Sequence, residues 1–239
     1  MRMLHLGGEH IQSAMRISDP YALELDYTRC MMAFLLFHPQ PRECLMIGLG
    51  GGSIAKFIHR NLRAVRTRAV ELNPAVVTAA RSLFNVPGDD ARLSVEIGDG
   101  ALAVRALSEG CDLLFADGFE DGTQVDCLTS EDFYSDAWDA LAEPGVLVTN
   151  FFGEDRKLDF YLRRVEAAFA GRVVCLEARV DGNVIAFALK GGSDEFGWDD
   201  LRARAARLQE RYGLPFTRYV ASLRRMNPHT TSHLLVAVK

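Results

Sequence analysis

Apolar and polar residues alternate along most of the chain in blocks that predict strands and helices in turn. Short continuous apolar runs are typical of buried parallel strands, and apolar residues at every third or fourth position are typical of amphipathic helices. The predicted strands are residues 44–47, 67–70, 93–97, 112–116, 146–150, 172–178 and 183–189. The predicted helices between them are residues 53–61, 75–84, 101–107, 130–142 and 156–168.

The order of these blocks predicts an α/β fold. Alternating strands and helices form a mainly parallel sheet that helices cover on both faces. Only a short turn at residues 181–183 joins the last two strands, so we expect them to form an antiparallel hairpin. A mainly parallel seven-stranded sheet that ends in such a hairpin is typical of the Rossmann-like methyltransferase fold.

The N-terminal segment shows a different pattern. Residues 3–6 and 11–17 predict a short β-hairpin with Gly7 and Gly8 at the turn. Pro20 is expected to begin a helix that runs to about Phe37, where two further prolines end it. We therefore predict a short N-terminal domain over residues 1–40 and a nucleoside-cofactor-binding domain over residues 41–239.

The segment after residue 191 predicts a helix over 196–212, then an irregular stretch and a last strand over 234–238. No chemistry is assigned to this segment.

A glycine-rich turn follows the first strand of the predicted sheet. Its glycines are Gly48, Gly50, Gly51 and Gly52. Glycines let backbone N–H groups approach a ligand closely and open a helix N-terminus towards it. Glu71 ends the next strand, roughly 20 residues further on, where a carboxylate suits the two hydroxyls of a ribose. Because Ser53 departs from the GxGxxG spacing, the turn favours an S-adenosyl nucleoside over NAD.

Polar residues also follow the next three strands of the predicted sheet. Asp99 and Gly100 end the third strand, Asp117 ends the fourth and Asn150 ends the fifth. The carboxyl ends of parallel strands meet at one edge of a sheet, so we expect these residues to converge with the glycines and Glu71. A helix cap is the alternative interpretation of Asp99.

Composition narrows the classes of function. The chain has 239 residues, 49% of them hydrophobic, and a net charge of −5, which argues against a general nucleic-acid binder. The longest apolar stretch, residues 31–37, is too short to cross a membrane. Five widely spaced cysteines without a CxxC pair predict reduced thiols and a cytoplasmic location. His229 and His233 have no acidic residue between them, so no metal site is predicted.

The segments IGLGGGS, AVELN, IGDGA and DLLFADGFEDG resemble the spermidine synthase (polyamine aminopropyltransferase) family over roughly residues 12–150. The resemblance implies that the glycine loop, Glu71, Asp99 and Gly100 hold decarboxylated S-adenosylmethionine. Glu71 would bind the ribose hydroxyls, and Asp99 would face the adenine amine. Asp117 aligns with the family's first loop Asp, the general base that takes a proton from the attacking amine.

The resemblance also implies a set of residues around a diamine or polyamine substrate. These residues are Gln12, Tyr27, Glu120 and Asn150. The chain departs from the family pattern here. Gly51 replaces the Asp of the glycine loop, Glu120 replaces the second Asp of the acidic loop, and Asn150 replaces a Gln.

These departures leave three hypotheses. The first is an aminopropyltransferase-like enzyme with Asp117 as the base. The second is an S-adenosylmethionine-dependent methyltransferase, in which the N–H groups at Gly51 would bind the carboxylate of the intact cofactor. The third is a non-catalytic scaffold of the same fold that acts through a partner, with a homodimer as one such assembly.

Overall fold

The computed structural model describes residues 1–5, 11–120 and 123–237, with residues 119, 120, 123 and 124 described by their backbone alone. The strands are β1 (Arg2–Leu4), β2 (Ser13–Met15), β3 (Glu43–Ile47), β4 (Arg66–Glu71), β5 (Leu93–Ile97), β6 (Cys111–Ala116), β7 (Phe119–Glu120), β8 (Thr123–Gln124), β9 (Leu141–Phe152), β10 (Val173–Ala178), β11 (Asn183–Lys190), β12 (Glu195–Gly197) and β13 (His233–Leu235). The helices are α1 (Asp26–Met31), α2 (Ser53–Asn61), α3 (Pro74–Leu83), α4 (Gly100–Arg105), α5 (Glu131–Ala140), α6 (Leu158–Ala168), α7 (Trp198–Tyr212) and α8 (Phe216–Leu223).

A seven-stranded sheet forms the centre of the molecule. Its strands lie in the order β10-β11-β9-β6-β3-β4-β5. Strands β9, β6, β3, β4 and β5 pair in parallel, whereas β11 runs antiparallel to both β9 and β10. The predicted Rossmann-like methyltransferase fold, with its antiparallel C-terminal hairpin, is therefore confirmed.

Helices cover both faces of this sheet. Helices α4, α5 and α6 pack on one face around the buried Val104, Tyr134 and Val165. Helices α1, α2, α7 and α8 pack on the other face, with buried residues such as Ile58 and Phe216. Strands β3, β6 and β11 are almost wholly buried between these layers, which explains their mainly apolar sequences, whereas the edge strand β5 is partly exposed.

The predicted N-terminal helix is wrong at its start, and its second part is a 3₁₀ helix that ends close to the predicted position. The α-helix begins at Asp26, not at Pro20, and it continues from Met32 to Leu36 only as a 3₁₀ helix. Two successive turns precede it, because the N–H of Asp19 bonds the carbonyl of Arg16 and the N–H of Ala22 bonds that of Asp19. The predicted hairpin appears as the antiparallel pair β1–β2, while its turn at Gly7 and Gly8 lies outside the described residues. The domain boundary after residue 40 stays a prediction.

The C-terminal segment is more regular than its pattern first indicates. Part of the predicted irregular stretch forms α8, whose apolar residues Phe216, Tyr219, Val220 and Leu223 are all buried. Their spacing is that of one face of a helix, and this face packs against the sheet. The last predicted strand, 234–238, starts one residue earlier, since β13 covers His233–Leu235 and pairs with β12, and residue 238 lies outside the described residues.

Candidate active site

A cavity of about 610 Å³ opens at the carboxyl edge of the parallel strands. The predicted site residues that line it are Gln12, Tyr27, Gly48, Gly50, Glu71, Asp99, Gly100 and Asp117. They come from the N-terminal segment and from the ends of β3, β4, β5 and β6, so the structure brings together residues that are more than 100 positions apart.

The first wall of the cavity is built by the end of β3. Gly48 continues the sheet pattern, since its N–H bonds the carbonyl of Val70, while the N–H of Asp117 bonds the carbonyl of Ile47. The φ of Gly48 is 87°, and a Cβ atom here would lie only 2.4 Å from the backbone oxygen of Asp117. Only glycine fits both conditions. The residue thus allows the ends of β3 and β6 to lie side by side.

Glu71 is held in a fixed orientation at the end of β4. One carboxylate oxygen accepts the N–H of Leu49 at 2.9 Å, and the other accepts the N–H of Asn73 at 3.0 Å. Each of these oxygens keeps acceptor capacity for a further donor. A pair of acceptors fixed beside a cavity in this way can take two vicinal hydroxyl groups.

Asp99 is a helix cap, as the alternative interpretation expected, and it also lies at the cavity. Its Oδ1 accepts the N–H groups of Ala101 and Leu102 at 2.8 and 3.3 Å, so it is the N-cap of α4. The same residue lines the cavity. Gly100 follows it and lies so close to the side chain of Ile47 that a Cβ would come within 2.2 Å of Cγ2. The cap therefore seats α4 directly on the end of β3.

The carboxylate of Asp117, at the end of β6, has a raised pKa. Its Oδ1 accepts a hydrogen bond from Nδ2 of Asn150 at 2.9 Å, and Tyr27 hydrogen-bonds the same carboxylate. Burial raises the pKa of Asp117 to about 6, and these two hydrogen bonds oppose the rise without cancelling it. The carboxylate keeps some exposure to the cavity. A group of this pKa can hold or release a proton near neutrality.

Tyr27 reaches the site from α1. Burial raises its pKa well above the usual value, and the negative charges of Asp117 and Asp181 add to the effect. The hydroxyl therefore stays protonated and can donate to Asp117. It also lies 3.4 Å from the backbone oxygen of Gln12, which places the N-terminal segment over the same end of the cavity.

The other two residues that were predicted to bind the substrate, Asn150 and Glu120, do not appear in the described cavity lining. Asn150 lies behind Asp117 and is buried, with 2% exposure. Glu120 belongs to the two-residue strand β7, which pairs with β8 immediately after Asp117. Its side chain lies outside the description.

The second half of the glycine loop turns away from the cavity. The N–H of Gly51 donates to Oγ of Ser13 at 2.8 Å, and a Cβ at Gly51 would lie 2.8 Å from both Phe84 and Ser13. A Cβ at Gly52 would lie 2.2 Å from Val86. Gly51 and Gly52 do not line the cavity. These two glycines pack the loop against its neighbours, while Gly48 and Gly50 face the cavity.

Charge around the cavity is strongly one-sided. Its described lining contains three carboxylates, those of Glu71, Asp99 and Asp117, and neither Lys nor Arg. The one basic side chain of that lining is His5. Such a site attracts cations and disfavours ligands that carry a free carboxylate.

Several polar residues of the site escaped the sequence analysis. Ser13 lines the cavity and holds the glycine loop, and Cys127 lies at the rim near Asp99. Asp181 and Asn183, which the sequence showed only as turn residues, bind the residues that contact Asp117. One feature could have revealed Asn183: an antiparallel strand begins at the edge where its parallel neighbours end.

The described part of the chain contains neither a membrane-spanning helix nor a cluster of metal-binding side chains. No helix there combines the length and the hydrophobicity that a membrane span requires. Within the same residues, no group of three or more His, Cys, Asp or Glu side chains is arranged to hold a metal ion.

Comparison with known proteins places the chain among relatives. The family model "Spermine/spermidine synthase domain" matches residues 24–168. A polyamine aminopropyltransferase of Chromobacterium violaceum is 40% identical over 236 residues, which cover 99% of this chain and 90% of the relative. A polyamine aminopropyltransferase of Neisseria meningitidis is 37% identical, with 98% of this chain and 89% of the relative covered.

Solved structures agree on the fold. Human methyltransferase-like protein 13 in complex with SAH has a TM-score of 0.71 at 22% identity, covering 87% of this chain and 96% of its own. A spermidine synthase in complex with the transition-state analogue AdoDATO has a TM-score of 0.67 at 24% identity, and the match covers 84% of this chain and 72% of the spermidine synthase chain. At these identities both structures support the fold alone. The homodimer and the cytoplasmic location stay predictions.

The packing of Gly51 leads to a stability prediction. We expect Gly51→Ala to lower the free energy of unfolding by about 1–3 kcal/mol, because the added methyl group overlaps Phe84 and Ser13. The loss would be measured by denaturant unfolding. Gly88→Ala is the matched control, since nothing lies within 4 Å of its Cβ position. Equal stability of the two variants would show that the loop is not packed as described.

Proposed function

Because the chain belongs to the spermine/spermidine synthase family, we propose that it transfers an aminopropyl group from decarboxylated S-adenosylmethionine to a diamine or polyamine. One observation carries the proposal beyond the family. The cavity combines three carboxylates with no Lys or Arg in its described lining, and one of those carboxylates, Asp117, has its pKa raised to about 6. This arrangement suits two cationic ligands and a proton transfer from the attacking amine to Asp117.

The nucleoside end of the site would be held by the strand ends β3 to β5. Glu71 would accept hydrogen bonds from both ribose hydroxyls, since two backbone N–H groups already fix its carboxylate. Asp99 would accept from the adenine amine while its Oδ1 caps α4. The backbone of Gly48 and Gly50 would lie against the nucleoside, where a side chain would leave no room.

The amine end would be formed by Asp117 and Tyr27 below Gln12. The bound donor supplies a sulfonium-activated carbon, and transfer joins it to the amine nitrogen as the carbon–sulfur bond breaks and methylthioadenosine leaves. Asp117 would accept the proton that the attacking nitrogen loses. Tyr27 would keep the carboxylate turned towards the amine, because its hydroxyl stays protonated and hydrogen-bonds it.

The geometry of the glycine loop argues against the methyltransferase hypothesis. That hypothesis needs a free N–H at Gly51 for the carboxylate of the intact cofactor. The N–H of Gly51 instead donates to Ser13, and Gly51 does not line the cavity. The negative charge of the cavity would oppose the same carboxylate. Decarboxylation removes that charge, and the donor then carries only positive groups outside its nucleoside.

The first test is calorimetric binding to the purified protein. We expect decarboxylated S-adenosylmethionine to bind at least tenfold more tightly than intact S-adenosylmethionine, because only the latter brings a carboxylate into an acidic cavity. Methylthioadenosine carries neither the carboxylate nor the aminopropyl chain, so its affinity measures the contribution of the nucleoside alone. Tighter binding of the intact cofactor would reverse the proposal in favour of methyl transfer.

Asp117 is expected to be essential for turnover and dispensable for binding. Asp117→Asn keeps the shape and removes the proton acceptor, so kcat should fall by about 10²–10⁴-fold. The dissociation constant of methylthioadenosine should change less than threefold. Assays of methylthioadenosine release with a diamine acceptor measure the first quantity, and calorimetry measures the second. Near-normal turnover would exclude Asp117 as the base.

The pH dependence follows from the same carboxylate. Asp117 accepts a proton only when ionised, so kcat/KM should rise with pH through about 6 and then level off.

Stability should move in the opposite direction. The folded state holds the Asp117 proton more tightly than the unfolded state, so this group makes unfolding easier as pH rises from about 4 to about 6. Asp117→Asn should therefore be at least as stable as the parent at pH 7, which thermal unfolding would reveal.

Glu71 is expected to matter for the nucleoside. Glu71→Gln loses the charge and one acceptor, so methylthioadenosine should bind about 10–100-fold more weakly. Glu96→Gln is the matched control. Glu96 lies on the adjacent strand, where it pairs with Arg68, and it is absent from the cavity lining. Unchanged affinity in Glu71→Gln would remove the ribose assignment.

A further inference from the structure

The first residue of β11, Asn183, places a buried side-chain amide behind the proposed catalytic group. Asn183 is 8% exposed, and its Nδ2 donates to Oδ1 of Asn150 at 2.9 Å. Asn150 in turn donates through Nδ2 to Oδ1 of Asp117 at 2.9 Å. The three side chains therefore form a continuous hydrogen-bonded row from the cavity wall into the interior.

Strand register explains why these residues meet. Asn183 lies directly opposite Phe152 in the antiparallel β9–β11 pair, two positions from Asn150 and on the same face of the sheet. On this face the rows of β6, β9 and β11 are apolar up to Phe115, Val148 and Ile185. The next residue of each row, at the edge of the sheet, is one of the three polar residues.

The direction of the row is fixed by the chemistry of its members. An ionised carboxylate only accepts, so the Asn150 amide must turn its NH₂ group towards Asp117. Its oxygen then points away from the cavity and requires a donor. Asn183 provides that donor. With an acceptor at position 183, the Asn150 amide would be drawn round to present its oxygen to Asp117.

We propose that Asn183 is a positioning residue for proton transfer, holding the Asn150 amide in the orientation that donates to Asp117. The inference rests on the proposed role of Asp117 and extends it to a residue that touches neither substrate nor cofactor. In substrate-free enzyme the row keeps the carboxylate in its ionised, proton-accepting form at neutral pH. Weakening it moves the acid limb of the rate profile to higher pH.

The turn between β10 and β11, just before Asn183, supports Tyr27, the second hydrogen-bond donor to Asp117. Oδ2 of Asp181 accepts the backbone N–H of Tyr27 at 2.7 Å. The turn between β10 and β11 thus fixes Tyr27 through Asp181, and the first residue of β11, Asn183, fixes Asn150. Asp117 shares the described cavity lining with the ionisable side chains of Tyr27, Glu71, Asp99, Cys127 and His5. Asp181 acts on Tyr27 from the turn between β10 and β11. Behind the turn, Asp26 and Arg218 form an ion pair at 3.0 Å.

Two substitutions test the row. Asn183→Leu has a similar volume and removes the donor without adding charge, and Asn183→Asp replaces the donor by an acceptor. We expect the acid limb of kcat/KM to move up by about half a pH unit or more in the first and by more than one unit in the second. The dissociation constant of methylthioadenosine should stay within twofold of the parent value, because the nucleoside end is untouched.

Asn227→Asp is the matched control. Asn227 is also a buried asparagine (7% exposed) beside β10, and its side chain bonds the backbone of Cys175 and Leu223, away from the cavity. It should lose stability as Asn183→Asp does but keep the parent acid limb. Asn183→Gln, which retains an amide donor, should move the limb less than Asn183→Leu.

The outcomes separate this inference from the proposed function. If Asp117→Asn is inactive and the Asn183 variants keep the parent acid limb, the positioning role is overturned while the function stands. If Asp117→Asn retains turnover, the function assigned to Asp117 fails, and the inference fails with it. Shifted limbs in both Asn183 variants, with an unshifted limb in Asn227→Asp, support the positioning role.

Discussion

The close approach of two backbones, at Gly48 and Asp117, is the constraint on which the site depends. The ends of β3 and β6 lie side by side because Gly48 has no Cβ to meet the Asp117 carbonyl, 2.4 Å from where that atom would be. Backbone hydrogen bonds on either side continue the sheet to this point. The glycine-rich loop and the acidic loop therefore begin next to each other. A larger residue at position 48 would push apart the two loops that follow β3 and β6.

Charge is the second theme of the structure. Three carboxylates share one cavity without a neighbouring Lys or Arg in the described lining. Such an arrangement disfavours folding, since like charges repel and burial penalises the ionised form of Asp117. In the proposed function, binding of the cationic ligands would offset this cost. The negative charge of the cavity would thus select cationic ligands, and the burial of Asp117 would give the proton acceptor a pKa near neutrality.

Support for this end of the site comes from parts of the chain with no obvious chemistry. Helix α8 carries Arg218, which pairs with the buried Asp26 at the start of α1. Asp26 also accepts the N–H of Val180, in the turn between β10 and β11. The C-terminal segment therefore fixes both α1, which carries Tyr27, and the turn that leads into β11, whose first residue is Asn183. A segment that contributes nothing to the cavity wall holds the donors around Asp117 in place.

Much of the fold followed from hydrophobic patterning. All seven sheet strands and the helices between them were predicted, with shifts of a few residues at their ends, because buried parallel strands are continuous apolar runs. Helix α8 was missed although Phe216, Tyr219, Val220 and Leu223 have helical spacing, since the segment is short and lies next to irregular chain. The start of α1 was misplaced because local turns at Asp19 and Ala22 preceded it.

The sequence by itself determined the strand ends, and with them Glu71, Asp99 and Asp117 at one edge, since parallel strands place their carboxyl ends together. Only the tertiary structure decided which glycines of the loop face the cavity, because Ser13, distant in sequence, takes the N–H of Gly51. It also decided that Asn150 and Asn183 form a row behind Asp117. That row depends on the pairing of β6, β9 and β11, and pairing between strands far apart in sequence is set by the packing of the whole sheet.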